Sequence, residues 1–221
     1  MIKQILSFLF PITIFEKRSA ISDNIEVTWN NGKLVLDSKN TNYSYGSLQK
    51  VLRKGLITIG FKKVQSMSDI LILGVAGGSV IKTLVDEIKF KGEITGVEID
   101  ENIIDIANKY FGLNKIKNYK TIIADASKFV TESSKKYDLI IIDIFEDIVM
   151  PNFLFEKDFI HNIKRLLNNN GFILFNTMIL DEKVINRNTI FMQHFKNGEY
   201  YCKTFSNVEH FNQLILIEKR N

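Results

Sequence analysis

The 221-residue sequence has a single cysteine, Cys202. No disulfide can form within the chain, and no site built from several thiolates can hold a metal. A reducing cytoplasm is the simplest setting. Histidine is nearly as sparse: His161, His194 and His210 are scattered without ligand spacing, so no metal site is expected. Gly-x-Ser-x-Gly, His-Glu-x-x-His and Gly-x-x-x-x-Gly-Lys-Ser/Thr are all absent, which removes the hydrolase, zinc-protease and P-loop readings. No repeat or low-complexity linker appears. The apolar opening from Met1 to Phe15 is shorter than the ~20 residues a membrane crossing needs. Pro11 interrupts it and no small-x-small cleavage site precedes Glu16-Lys17-Arg18. It reads as an amphipathic or strand-forming cap, with membrane-surface attachment the lesser reading. Arginine is scarce too: the net charge of +4 and pI of about 9.0 come mainly from lysine. Guanidinium forks are the stronger mark of nucleic-acid recognition, so RNA is an unfavoured partner, though not an excluded one. A solvated lysine surface accounts for the charge more simply.

What is present is an ordinary globular composition, 45% hydrophobic and 24% charged, in a chain long enough for one substantial core and a small appendage. Its organising stretch runs from Asp69 to Asp100. Ile70-Leu71-Ile72-Leu73 is a short, wholly apolar run, the pattern of a parallel strand covered on both faces. Gly74-Val75-Ala76-Gly77-Gly78-Ser79 breaks it. Glycines allow a sharp turn whose N–H groups approach a ligand, and a helix starting near Ser79 adds a positive dipole end. The next strand, Ile94 to Asp100, delivers Glu98 where a carboxylate can accept hydrogen bonds from both ribose hydroxyls. An adenosine carrying a sulfonium, without phosphate, suits that arrangement.

On either side of this stretch the patterning alternates between strand and helix. Ile25 to Trp29 and Lys33 to Asp37 flank Asn30-Asn31-Gly32 as a β-hairpin. Residues 1–45 form an N-terminal segment ending in a polar, aromatic loop, and 46–221 form the main domain. Gly46 to Ile59 and Glu101 to Phe111 have helical spacing. Lys120 to Ala124 is a third strand of the domain, ending at Asp125-Ala126, and a helix begins at Ser127. Tyr137 to Asp143 is a fourth strand, and Phe153 to Leu167 is a helix ended by the turn residues Asn168 to Gly171. Phe172 to Asn176 is a fifth strand, followed by a helix over 183–195. Tyr200 to Phe205 with Gln213 to Glu218 form a closing antiparallel pair. This predicts an α/β, Rossmann-like, doubly wound, mostly parallel sheet of seven strands with a small N-terminal β-hairpin segment. Gly74, Glu98, Asp125 and Asp143 then fall at the carboxyl ends of four strands, the ligand edge of such sheets. Each acid alone reads equally well as a helix cap; the four together form a constellation.

The order Gly-x-x-Gly-Gly, Val97-Glu98-Ile99-Asp100, Asp125-Ala126 and Tyr137-Asp138-x-Ile140-x-x-Asp143 resembles the class I S-adenosylmethionine-dependent transferase fold, and within it the spermidine synthase-like branch. The resemblance runs from Leu34-Val35-Leu36-Asp37 through Leu154-Phe155 and Phe159. It implies that Gly74, Val75, Ala76, Gly77, Gly78, Glu98, Ile99, Asp125, Ala126 and Asp143 line the cofactor. Glu98 would take the ribose, Asp125 the adenine amino group and the Ala126 backbone the ring. Asp143 matches the aspartate that deprotonates the attacking amine. The departures are specific. The aspartate of the family's Gly-Gly-Gly-Asp-Gly-Gly turn is replaced by Gly77. The Ser-x-Asp-Pro after the catalytic aspartate is replaced by Ile144-Phe145-Glu146-Asp147. A shorter Asn42 to Ser47 stands where the family has a glutamine and Tyr-x-Glu. Glu146 and Tyr45 are left as the substrate-side candidates.

Those losses have an electrostatic direction. A cationic aminopropyl tail needs a carboxylate beside it, whereas the carboxylate of ordinary S-adenosylmethionine is better met by glycine N–H groups. The sequence therefore favours methyl transfer from S-adenosylmethionine to a small or medium acceptor. Aminopropyl transfer from decarboxylated S-adenosylmethionine is the alternative, and a non-catalytic nucleoside- or RNA-binding module is the second alternative. A small-molecule substrate is expected and a membrane is not. The apolar N-terminus and the hairpin edge predict a homodimer.

Overall fold

The computed structural model describes residues 2–19, 21, 23–38, 42–44, 47–146, 149–196, 198–209 and 211–220. A helix α1 (Ile2–Leu6) precedes a four-stranded antiparallel sheet, β1 (Ile12–Ser19), β2 (Asp23–Asn30), β3 (Lys33–Ser38) and β4 (Asn42–Ser44), in the order β1-β2-β3-β4. The predicted hairpin is its β2–β3 pair, with Asn30 opposite Lys33 and the left-handed Asn31 and Gly32 making the turn.

The opening segment is turned inside out. Its polar side chains face the hairpin: Gln4 Nε2 donates to the Gly32 carbonyl at 3.1 Å, and the buried Ser7 hydroxyl accepts from the Gly32 N–H at 2.9 Å. Its apolar residues Ile2, Ile5, Phe8, Leu9 and Phe10 are exposed.

Helices α2 (Ser47–Ile59) and α3 (Phe61–Gln65) lead into the main sheet. Its strands are β5 (Asp69–Leu73), β6 (Glu93–Glu98), β7 (Tyr119–Ile123), β8 (Tyr137–Ile142), β9 (Leu167–Met178), β10 (Tyr200–Ser206) and β11 (Asn212–Lys219), in the order β10-β11-β9-β8-β5-β6-β7. β7, β6, β5, β8 and β9 run parallel, while β11 is antiparallel to both β9 and β10. The wholly apolar runs are the central strands, as burial on both faces requires. Ile70 and Ile72 pack into one hydrophobic layer with Leu139, Ile141 and Leu174. Leu71 and Leu73 pack into the opposite layer with Ile140, Ile142 and Phe175. Each such side chain stabilises the fold by roughly 1.5–3 kcal/mol.

The crossover helices depart from the simple reading. Four-residue α4 (Ser79–Lys82) continues as a π turn over Thr83–Glu87, and α5 (Glu101–Ile106) continues as one over Ala107–Phe111. α6 (Ala126–Glu132) follows β7. The predicted helix over 153–167 is divided: Asn152–Phe155 is a 3-10 turn, Glu156 is extended, and α7 is Lys157–Leu166. The predicted turn at Asn168 to Gly171 lies inside β9. Two steps along β8, Tyr137 to Leu139, face five along β9, Leu167 to Phe172, so the asparagines bulge out of register, with Asn170 in the left-handed region. α8 (Glu182–Gln193) is capped by Asp181, whose side chain accepts from the Val184 N–H.

The two sheets meet at the start of α5. Ile25, Val27 and Leu36 pack against Ile103, Ile106 and Phe111. Buried Asp100 caps α5 through the Asn102 N–H and accepts from the Ser19 hydroxyl of β1 at 2.5 Å. Among the described residues no helix is long and apolar enough to cross a membrane.

Candidate active site at the strand switch point

Chain order reverses at β5. From it the sheet grows through β6 and β7 on one side, then through β8 and β9 on the other. The crevice outside the carboxyl ends of β5 and β8 is therefore the place where a doubly wound sheet receives a ligand. Gly74 and Asp143 are the residues that leave those two strands. Gly74 has φ +87°, and a Cβ there would overlap the Asp143 carbonyl oxygen, so both conformation and space require glycine. The Asp143 N–H donates to the Leu73 carbonyl at 2.9 Å, which ties the two strand ends together.

The rest of the turn is held from β6. Both oxygens of Glu98 are engaged: Oε2 accepts from the N–H groups of Val75 at 3.0 Å and Ala76 at 3.1 Å. Oε1 accepts from Ile99 at 2.9 Å and Asp100 at 3.2 Å. Four donors match the roughly four lone-pair positions of a carboxylate. Burial pushes the Glu98 carboxyl up, and these backbone donors oppose the shift. This clamp keeps Ala76 in the left-handed region at φ 46°, which an L-residue rarely adopts. Glu98 thus reaches the predicted edge, but as the lock of the glycine turn; ribose hydroxyls could engage it only by sharing or replacing these bonds. Val75 is buried in the core beneath the turn, and the left-handed Gly78 lies against Leu113.

Beyond Glu98 the edge turns apolar. Glu98 pairs with Ile123 across β6 and β7, and Ile99 follows it. Ile99 is 48% and Ile123 46% exposed, two large aliphatics left uncovered at the ends of adjacent strands. Asp125 caps α6 through Oδ1, which accepts from Ser127 at 2.7 Å and Lys128 at 3.2 Å. Ala126, the first residue of that helix, is buried. Exposed aliphatics at these strand ends and a carboxylate with one oxygen outside the cap are the residue types that a purine ring and its amino group call for.

Asp143 is the contrasting acid. Among the described residues its carboxyl accepts one hydrogen bond, from Asn176 Nδ2 to Oδ1 at 2.9 Å. Burial pushes it up to about 6, against the pull of that amide. Asn176 is itself held, its Oδ1 accepting from Asn212 Nδ2 at 3.0 Å; both asparagines are buried. Glu146 lies three residues on, exposed on a loop that bridges to Val149, with its N–H donating to the Val149 carbonyl at 2.8 Å. Tyr45 lies outside the described residues. The sequence reading did not identify Asn176 or Asn212. The one available signal was a polar residue directly following the apolar Phe172 to Phe175. No group of His, Cys, Asp and Glu among the described residues could hold a metal ion.

Residues 49–211 match the sequence model of the spermine/spermidine synthase domain. A polyamine aminopropyltransferase of Methanocaldococcus jannaschii is 34% identical over 110 residues, which are 48% of this chain and 37% of that protein. One of Vibrio vulnificus is 30% identical over 135 residues, 60% of this chain and 44% of that protein. The chain thus spans less than half the length of these curated relatives. Among solved structures, spermidine synthase from Thermotoga maritima superposes with a TM-score of 0.72 at 15% identity, covering 95% of this chain and 73% of that one. At that identity the likeness is one of fold.

Proposed function

The chain belongs to the spermine/spermidine synthase domain family, and from that premise we propose that it is a transferase moving an aminopropyl group from decarboxylated S-adenosylmethionine to a polyamine amine. The observation that carries this reading is Asp143, which leaves β8 at the switch point with its backbone carbonyl against Gly74 and its carboxyl held by the Asn176 amide, burial pushing that carboxyl up to about 6. Such a group is ionised at neutral pH yet is a stronger base than an exposed aspartate, which suits it to hold a proton shed by an amine. The names of the aligned relatives, polyamine aminopropyltransferases, support the same chemistry.

When bound, the donor supplies a sulfonium whose neighbouring carbon is open to attack. The chain's own residues bind, orient and move the proton. Ile99 and Ile123 would offer the adenine ring its apolar contacts, and Asp125 Oδ2 would accept from its amino group. The turn from Gly74 to Gly78 fixes the tail, with Glu98 as its clamp. Asp143 takes the proton as the amine nitrogen becomes nucleophilic, and Glu146 offers the acceptor a second anion. Alignment of nucleophile and electrophile would supply the remaining acceleration.

Gly77 favours a second reading. The first turn, Gly74 to Ser79, contains no acid, so a cationic aminopropyl tail would lack the carboxylate it needs, while the carboxylate tail of ordinary S-adenosylmethionine would not. Methyl transfer is that reading. Offering both donors with putrescine and weighing the nucleoside product tests the two. Methylthioadenosine with spermidine is expected; S-adenosylhomocysteine would move the assignment to methyl transfer. No binding of either donor would overturn both.

A further inference from the structure

Asn176 ends the apolar part of β9 on the same face as Phe172 and Leu174, because side chains alternate along a strand. It is fully buried, and its amide could offer Asp143 either the carbonyl oxygen or the NH2 group. Asn212 decides which. Its Nδ2 donates to Asn176 Oδ1 at 3.0 Å, leaving Nδ2 of Asn176 to donate to Asp143 Oδ1 at 2.9 Å. With the amide reversed, an oxygen would face the carboxylate, lone pair against lone pair. Asn212 has little freedom of its own: it opens β11 opposite Met178, and its N–H donates to the Glu209 carbonyl at 3.0 Å.

We propose that Asn176 and Asn212 are positioning residues for Asp143: Asn212 orients the Asn176 amide, Asn176 occupies Asp143 Oδ1, and Oδ2 is the oxygen left for the substrate amine. The inference rests on Asp143 being the proton acceptor of the proposed reaction. The Asn176 amide donates to the Asp143 carboxyl, and the Asp143 backbone carbonyl lies against Gly74, beside the Ile144 side chain. Burial raises the proton affinity of that carboxyl and the amide lowers it. Removing either asparagine should therefore show in the titration of Asp143 itself.

The test is a carbon-detected NMR titration of the full chain, with Asp143→Asn identifying the resonance. The wild-type midpoint should lie near 6. Asn176→Leu should raise it by about half a unit or more, since a bond to the charged form is lost, and Asn212→Leu by less in the same direction. Turnover at pH 7 should fall roughly 10-fold or more with the donor KM unchanged, as for a group that acts on the proton and not on donor binding. Lower melting temperatures with an unmoved midpoint would overturn the inference, leaving the asparagines as packing for the β9–β11 junction. If Asn176→Leu does not fold, Asn212→Leu decides, because it leaves the Asn176–Asp143 bond sterically possible. The titration needs no activity, so the two failures are distinguishable: a wild-type chain without turnover would overturn the transferase reading and with it Asp143 as proton acceptor, whereas an active wild type with an unmoved midpoint in both variants would overturn the positioning alone.

Discussion

Glu98 and Asp143 leave the two strands that flank β5, at the same edge of one sheet, and burial pushes both carboxyls up. They are kept in opposite ways. Glu98 is saturated by four backbone N–H groups, whereas Asp143 accepts from a single amide among the described residues. A buried acid with every lone pair engaged is a part of the fold. One with a single hydrogen bond, at a partly accessible crevice edge, keeps an oxygen that a ligand or a proton can engage. Removing the two groups should therefore change stability with opposite signs.

The largest effect is expected at Glu98. Glu98→Ala leaves the N–H groups of Val75, Ala76, Ile99 and Asp100 without their acceptor and should destabilise the chain by about 3–5 kcal/mol in urea unfolding. A loss below ~1 kcal/mol would mean the turn holds without its clamp, erasing the contrast.

Asp143→Asn should do the reverse. The folded carboxyl binds its proton up to about 6, while the unfolded one releases it near 3.8, the ordinary value of an aspartate. Between those pH values the native state holds more protons, so wild-type stability falls as pH rises. The amide variant escapes this loss. It should match the wild type near pH 3.5 and exceed it by about 2–3 kcal/mol at pH 8, while losing transfer activity. Denaturation curves at the two pH values check it; a variant no more stable at pH 8 would show that Asp143 is already as well satisfied as Glu98.

The smallest effect belongs to Asp125, which lies between the two extremes with one oxygen capping α6. Asp125→Ala should cost about 1 kcal/mol of stability, and Asp125→Ser should restore most of that. If Oδ2 also serves the adenine, Asp125→Ser will still bind the adenosyl donor more weakly by calorimetry. Full recovery of binding would leave Asp125 as a cap alone.

The four strand-end residues were legible from sequence because each follows an apolar run, and in a parallel sheet the end of a run is the ligand edge. Their division of labour was not. Glu98 acquires four donors only once the glycine turn folds back over β6, a contact between residues 22 and 23 positions apart. The Asn212–Asn176 bond spans 36 positions and depends on β11 pairing antiparallel with β9. No local pattern encodes either. The π turns ending α4 and α5 and the bulge at Asn168 to Gly171 escaped for the same reason: packing set them, against what spacing and turn propensity suggested.

That bulge bears on how the gene can change length. Two steps along β8 are matched by five along β9 before the strands fall into step at Leu139 and Phe172. The surplus is a reservoir: a codon gained or lost among Asn168, Asn169 and Asn170 alters the bulge and leaves Asn176 across from Asp143. The same indel between Phe172 and Asn176 cannot be absorbed, because a one-residue slip turns every later side chain to the other face. Lineages of this chain should accordingly tolerate length variation before Phe172 and show none from there to Asn176.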